Sequence, residues 1–196
     1  MKRAKIGDVY YAKVPNGYKL FQWAYRIPKR GDYIRVFDGL FEDIPDNIAE
    51  IVEGPHSYII GFYPSKAYKI GLVKLIGNYS VPEKYPFPNY RVKFWINQKG
   101  EVFSIWLTPN NSTVNGSLNT LSFPVSAMNE LPSQYRGETL LNSTVPPDML
   151  LYLFDCNFNL TSPNLLDPRH TLGNGWESKY QVYEDMVQQA LRQSIS

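Results

Sequence analysis

Residues 7–25 read GDVYYAKVPNGYKLFQWAY. Val9, Tyr10, Tyr11 and Val14 are residues that suit a pleated, half-buried surface. Pro15-Asn16-Gly17 supplies a turn, and Tyr18 to Tyr25 returns in the same strand-forming chemistry. The stretch therefore predicts a β-hairpin, and the rest of the first half extends it. Pro28-Lys29-Arg30-Gly31 breaks the chain, and Tyr33 to Phe37 forms a third strand ended by Asp38-Gly39. Ser57–Tyr63 and Ala67–Ile76 are two further expected strands. Arg91–Ile96 and Glu101–Leu107 flank Asn97-Gln98-Lys99-Gly100, a plausible hairpin loop. Short strands with frequent turns point to an α+β, mainly β fold. Its core is expected to be a strongly twisted antiparallel sheet or a small barrel.

Two segments have helical spacing. Over Pro45–Glu53, the apolar residues Ile44, Ile48, Ile51 and Val52 fall on one face, and Gly54-Pro55 ends the element. The second segment is Lys179–Gln193, with a stripe of Tyr183, Met186, Val187, Ala190 and Leu191. Ser178 is placed to cap it, with Gln181 completing a capping box. The Asn/Ser/Thr-rich stretch between Pro109 and Ser133 reads as a long loop. Residues 155–177 read as an irregular connection to the last helix. The expected organisation is a β-rich domain over 1–150 and a C-terminal extension over 151–196, with its helix at about 179–193.

At 196 residues, with 43% hydrophobic and 19% charged residues, the chain has material for a sizeable core. Its single cysteine, Cys156, excludes an internal disulfide framework. A small buried hydrophobe is the simpler reading of that residue. The basic N-terminus is not followed by the apolar stretch of a signal peptide, and no run approaches the length of a membrane span. A cytoplasmic protein without membrane association is the expectation. The Asn-x-Ser/Thr triplets at Asn78, Asn110, Asn111, Asn115, Asn142 and Asn159 are then read as chance.

The net charge of +2 hides a strong alternation. Residues 1–36 carry nine Lys/Arg and two Asp, and residues 37–57 carry six acids and no Lys or Arg. Those six, Asp38, Glu42, Asp43, Asp46, Glu50 and Glu53, are the candidate partner-binding residues. A patch of one sign speeds association with a partner of the other sign. The competing reading is a solvated helix face.

Catalytic signatures are missing. There is no Gly-rich phosphate loop, HExxH or CxxC motif, and neither His56 nor His170 has metal-ligand spacing around it. No catalytic residue, cofactor or metal is expected. The basic opening supports a second reading, a nucleic-acid-binding module. Lys13, Lys19, Arg26, Lys29, Arg30 and Arg35 interleave with Tyr10, Tyr11, Tyr18, Phe21, Trp23 and Tyr25, the chemistry of single-strand binders. Against it, the alternation of strand 18–25 does not put those rings on one face.

An ordered set of motifs carries a resemblance. Gly7-Asp8 opens a strand and Pro15-Asn16-Gly17 makes a turn. Then follow Phe37-Asp38, Gly61-Phe62-Tyr63, Gly71-Leu72-Val73-Lys74-Leu75-Ile76-Gly77-Asn78 and Phe87-Pro88. In this order they resemble the immunity protein 26 family of bacterial polymorphic toxin systems, over roughly residues 5–110 and more faintly to about 150. The resemblance implies a non-catalytic cytoplasmic protein that neutralises a cognate protein toxin by binding it. It transfers no binding residues, and the oligomeric state stays open. Within the matched region, Tyr85-Pro86-Phe87-Pro88 is stiff and chemically inert. It can serve as a contact surface of low entropy cost or as a structural plug against the sheet.

Overall fold

The computed structural model describes residues 4–27, 31–86, 91–96, 102–107, 120–124, 140–156, 168 and 172–195, and side chains outside 91–144. Its centre is the hairpin read from residues 7–25. Strand β1 (Asp8–Val14) pairs antiparallel with β2 (Gly17–Ile27), β2 with β3 (Gly31–Phe37), and β3 with β4 (His56–Gly61). Strand β5 (Val73–Asn78) adds to the outer side of β1. These five form an open antiparallel sheet in the order β5-β1-β2-β3-β4. Beyond β4 the order runs through β9 (Leu140–Thr144), β6 (Arg91–Ile96), β7 (Val102–Leu107) and β8 (Thr120–Pro124), with β9 parallel to both its neighbours.

The sheet does not close into a barrel. The free side of β4 is taken by β9 and not by β5, so no pairing joins the two ends of the five-strand unit. The central strands instead bury both faces by packing under helices, as the unbroken run of buried residues Lys19–Ala24 in β2 records. On one face, Tyr10, Phe21, Val36 and Tyr58 lie side by side across four strands. Helix α3 (Pro147–Asp155) covers this face, its Leu150–Phe154 fully buried, and α4 (Trp176–Ile195) lays Tyr180 and Tyr183 against Tyr152. Tyr180 and Tyr183 donate to Asp148 and Asp155 at 2.8 and 2.7 Å, fastening α4 to α3. One core thus contains residues from both sides of position 150. Cys156, half-buried, packs against it.

Several local expectations are corrected. Ala67–Ile76 is not one strand. Pro64 starts a one-turn helix, α2 (Pro64–Lys69), and Gly71, at φ 76°, reverses the chain before β5 begins at Val73. The acidic helix α1 is shorter than its periodicity, Ile48–Glu53, so Pro45 and Asp46 precede it. Helix α4 begins at Trp176, which places Ser178 inside it. The Ser178 hydroxyl donates back to the Gly175 carbonyl and caps no free amide. Strand β8 falls within the stretch read as a loop, and α3 forms where no element was expected. No helix among the described residues is long and apolar enough to cross a membrane.

Candidate interaction surface

The opposite face of the sheet carries α1. Its Ile48 and Val52, one turn apart, bury against Val9, Leu20 and Phe37. Beside this small apolar cluster lies a polar layer. Gln22 and Arg35 are cross-strand partners, and both are fully buried. Arg35 Nη1 donates to Gln22 Oε1 at 2.9 Å, and Nη2 reaches the carbonyls of Val52 and Gly54 at 3.4 Å. Its Nε faces His56 Nδ1 at 3.4 Å. The guanidinium lies against two rings, 4.3 Å from the centre of Tyr85 and 5.5 Å from that of Phe37. Carbonyl dipoles and ring faces take the place of a carboxylate: among the described residues no acid forms a salt bridge with Arg35.

Burial and the neighbouring Arg35 push the His56 imidazole down to about 4, while Asp38 pulls it the other way. His56 is therefore neutral at neutral pH, which suits an acceptor facing a guanidinium. Burial also lowers Arg35 itself. Lys19, fully buried on the same hairpin, is lowered to about 8 by burial, against the pull of Asp38, and donates to the Gly39 carbonyl at 2.7 Å.

The strap that follows β5 closes the layer. Tyr79 donates its N–H to the Gly7 carbonyl at 2.9 Å and accepts from Gln22 Nε2 at 2.8 Å. The Tyr25 hydroxyl, pushed up to about 12 by burial, donates to the Tyr85 carbonyl at 2.6 Å. His56 meets the Tyr85 ring edge-on at 5.0 Å. Tyr85 is thus a structural plug in this surface, and Pro86 beside it is exposed. Phe87 and Pro88 lie outside the described residues.

All six predicted acids are exposed. Asp38 follows the last residue of β3 and accepts from the Ser57 hydroxyl. Glu42 and Asp43 follow Phe41, which is pinned to Tyr18 by two backbone bonds of 2.8 and 3.0 Å. Asp46 precedes α1. Glu50 and Glu53 lie three apart on the outer side of α1, away from Ile48 and Val52. Glu50 accepts from Asn47 at 3.0 Å, and Glu53 meets Lys84 of the strap at 3.6 Å. Among the described residues this is the one salt bridge the six make.

The basic aromatic set is dispersed by the same fold. Lys19 and Arg35 are buried, and so are Tyr10, Phe21 and Trp23. Arg26 stacks 4.6 Å from Trp23 and pairs with Asp32 at 2.7 Å. Tyr11 and Tyr18 pack edge-on against each other at 5.6 Å. Lys13 remains exposed, and Lys29 and Arg30 lie outside the described residues.

The sequence reading did not assemble the Gln22–Arg35–His56–Tyr85 layer. A signal was present: Gln22 follows Leu20 by two, and Arg35 precedes Phe37 by two, so each polar residue sits in phase with a core residue of its strand. No family model matches this chain, and neither a curated protein nor a solved structure matches it.

Proposed function

We propose that the chain is an immunity protein, neutralising a cognate protein toxin in the cytoplasm by tight non-covalent binding, with the Asp38–Glu53 stretch as part of the contact. The observation that carries this reading is a row of six exposed carboxylates on a stiff support. The β3 end, the Tyr18–Phe41 bridge and the buried face of α1 fix its backbone. Such a patch attracts a basic surface over long range and costs little to order on binding. The resemblance of the ordered motifs to the immunity protein 26 family adds the biological setting. The nucleic-acid reading has less support, because three of its six rings, Tyr10, Phe21 and Trp23, are packed inward and Lys19 and Arg35 are buried.

Co-expression with the neighbouring reading frames tests the proposal, scored by cell survival and by co-elution on size exclusion. One neighbour lethal alone, rescued by this chain and eluting with it, is the expected result. A set of neighbours none of which is toxic or co-elutes overturns it.

A further inference from the structure

On the α3/α4 side of the sheet, a cavity of about 700 Å³ opens between α2, α4 and the start of α3. That is the size of a small-molecule site, not of a packing defect. Its walls are apolar: Phe62, Ala67 and Ile70 on one side, Val187 and Leu191 on the other, with Pro146 and Pro147 completing the lining. The wall offers few backbone donors. The two prolines have no N–H, the Val145 N–H is spent on the Gly61 carbonyl, and the Ala67 and Ile70 N–H groups are spent within α2. The polar side chains left are Lys66, Lys69 and the hydroxyl of exposed Tyr63.

Lys66 and Lys69 lie three apart on one side of α2 and are exposed. Lys66 Nζ lies 5.2 Å from the Tyr63 ring centre, and among the described residues neither lysine has a salt-bridge partner. Two uncompensated ammonium groups at an apolar hollow define one kind of occupant. Its body must be apolar, and its single polar end must be an anion. A peptide strand would need backbone partners that these walls do not offer.

We infer that this cavity binds an amphipathic carboxylate of the medium- or long-chain fatty-acid class. The tail lies between Ile70 and Leu191, and the carboxylate sits at Lys66 and Lys69. This inference stands apart from the toxin reading, since it uses none of the acidic residues.

The test is titration of the full chain with dodecanoate below its micellar concentration, followed by methyl NMR of Ile70, Val187 and Leu191. Dodecyltrimethylammonium and acetate serve as controls for head charge and tail. Saturable dodecanoate binding that moves those methyls is expected, with neither control matching it. K66Q/K69Q should weaken it by about tenfold or more, the scale of a lost charge-assisted contact. Leu191→Glu, at an exposed site that leaves folding intact, should abolish it. Absence of saturable binding, equal binding of the cationic chain, or indifference to both variants would overturn the inference. So would an acidic amphipathic peptide that moves the same methyls when dodecanoate does not, since the groove would then dock protein.

Discussion

The guanidinium of Arg35 lies 4.3 Å from the centre of the Tyr85 ring, with Arg35 itself fully buried. This contact joins the middle of the sheet to the strap, and through the Lys84–Glu53 pair to the acidic helix. Arg35 also holds Gln22 and the end of α1 at Val52 and Gly54. Arg35→Ala should therefore cost about 3–5 kcal/mol, from a cavity plus stranded acceptors. Arg35→Lys should cost about 2 kcal/mol, because a lysine cannot reach the same acceptors in one plane. Tyr85→Ala should cost about 1–2 kcal/mol. Urea midpoints check the ranking. An Arg35→Ala midpoint close to wild type would mean that water already serves this layer.

His56 makes stability depend on pH. Its value of about 4 in the folded chain lies below the ordinary 6.5, so the unfolded chain takes up the proton first. Stability should be full above about pH 6.5, fall as pH drops toward about 4, and lose at most about 3 kcal/mol through this group. The facing charges are Arg35, which holds the proton off, and Asp38, which draws it on. His56→Asn keeps an acceptor for Arg35 and removes the titration. The difference between wild-type and variant urea midpoints should therefore vary across pH 4–6.5 and be flat above it. A difference that is constant with pH would place His56 in water.

Reversing Asp46, Glu50 and Glu53 to lysine should slow association with the cognate toxin by about 10–100-fold at low salt and flatten its salt dependence. Dissociation should change little, because long-range attraction acts on encounter. The fold should tolerate the change, since the Lys84 pair is exposed on both sides and worth under about 1 kcal/mol. Stopped-flow association at two ionic strengths checks this. An unchanged on-rate removes the patch from the interface.

The sheet was legible where strand alternation and turn chemistry agreed. Val9 to Tyr25 around Asn16-Gly17 gave the first pairing correctly, with Val14 opposite Gly17. Barrel or open sheet was not legible, because that depends on whether β4 pairs with β5 or with a strand from about eighty residues away, β9. The α2 helix hid inside a β-like run, since six residues give too little periodicity to read and Pro64 was the main signal. For the candidate surface, the sequence located the acids but not what holds them. Arg35 and Lys19 look like solvent-facing bases in a list of charges. Only the packing shows that they are buried, Arg35 under α1 and the strap, Lys19 in phase with Phe21 on the other side of the sheet.

Gly17 offers the sharpest separation of backbone from charge at this surface. It sits at φ 143°, and a Cβ there would stand 2.5 Å from the Phe41 carbonyl oxygen. That carbonyl accepts from Tyr18 N–H at 2.8 Å, the bond that holds the chain just before Glu42 and Asp43. Gly17→Ala must push the Phe41 carbonyl away or distort the β1–β2 turn, and should cost about 2–3 kcal/mol. Gly39→Ala is the matched control. Its φ of 79° also disfavours a side chain, but nothing lies within 4 Å of the added methyl. It should cost only about 1–2 kcal/mol, the conformational penalty alone. If the acidic row works because its backbone is held, Gly17→Ala should also slow toxin association with every carboxylate still present, and Gly39→Ala should slow it less. Equal association rates for the two variants would mean that the charges act without the bridge that positions them.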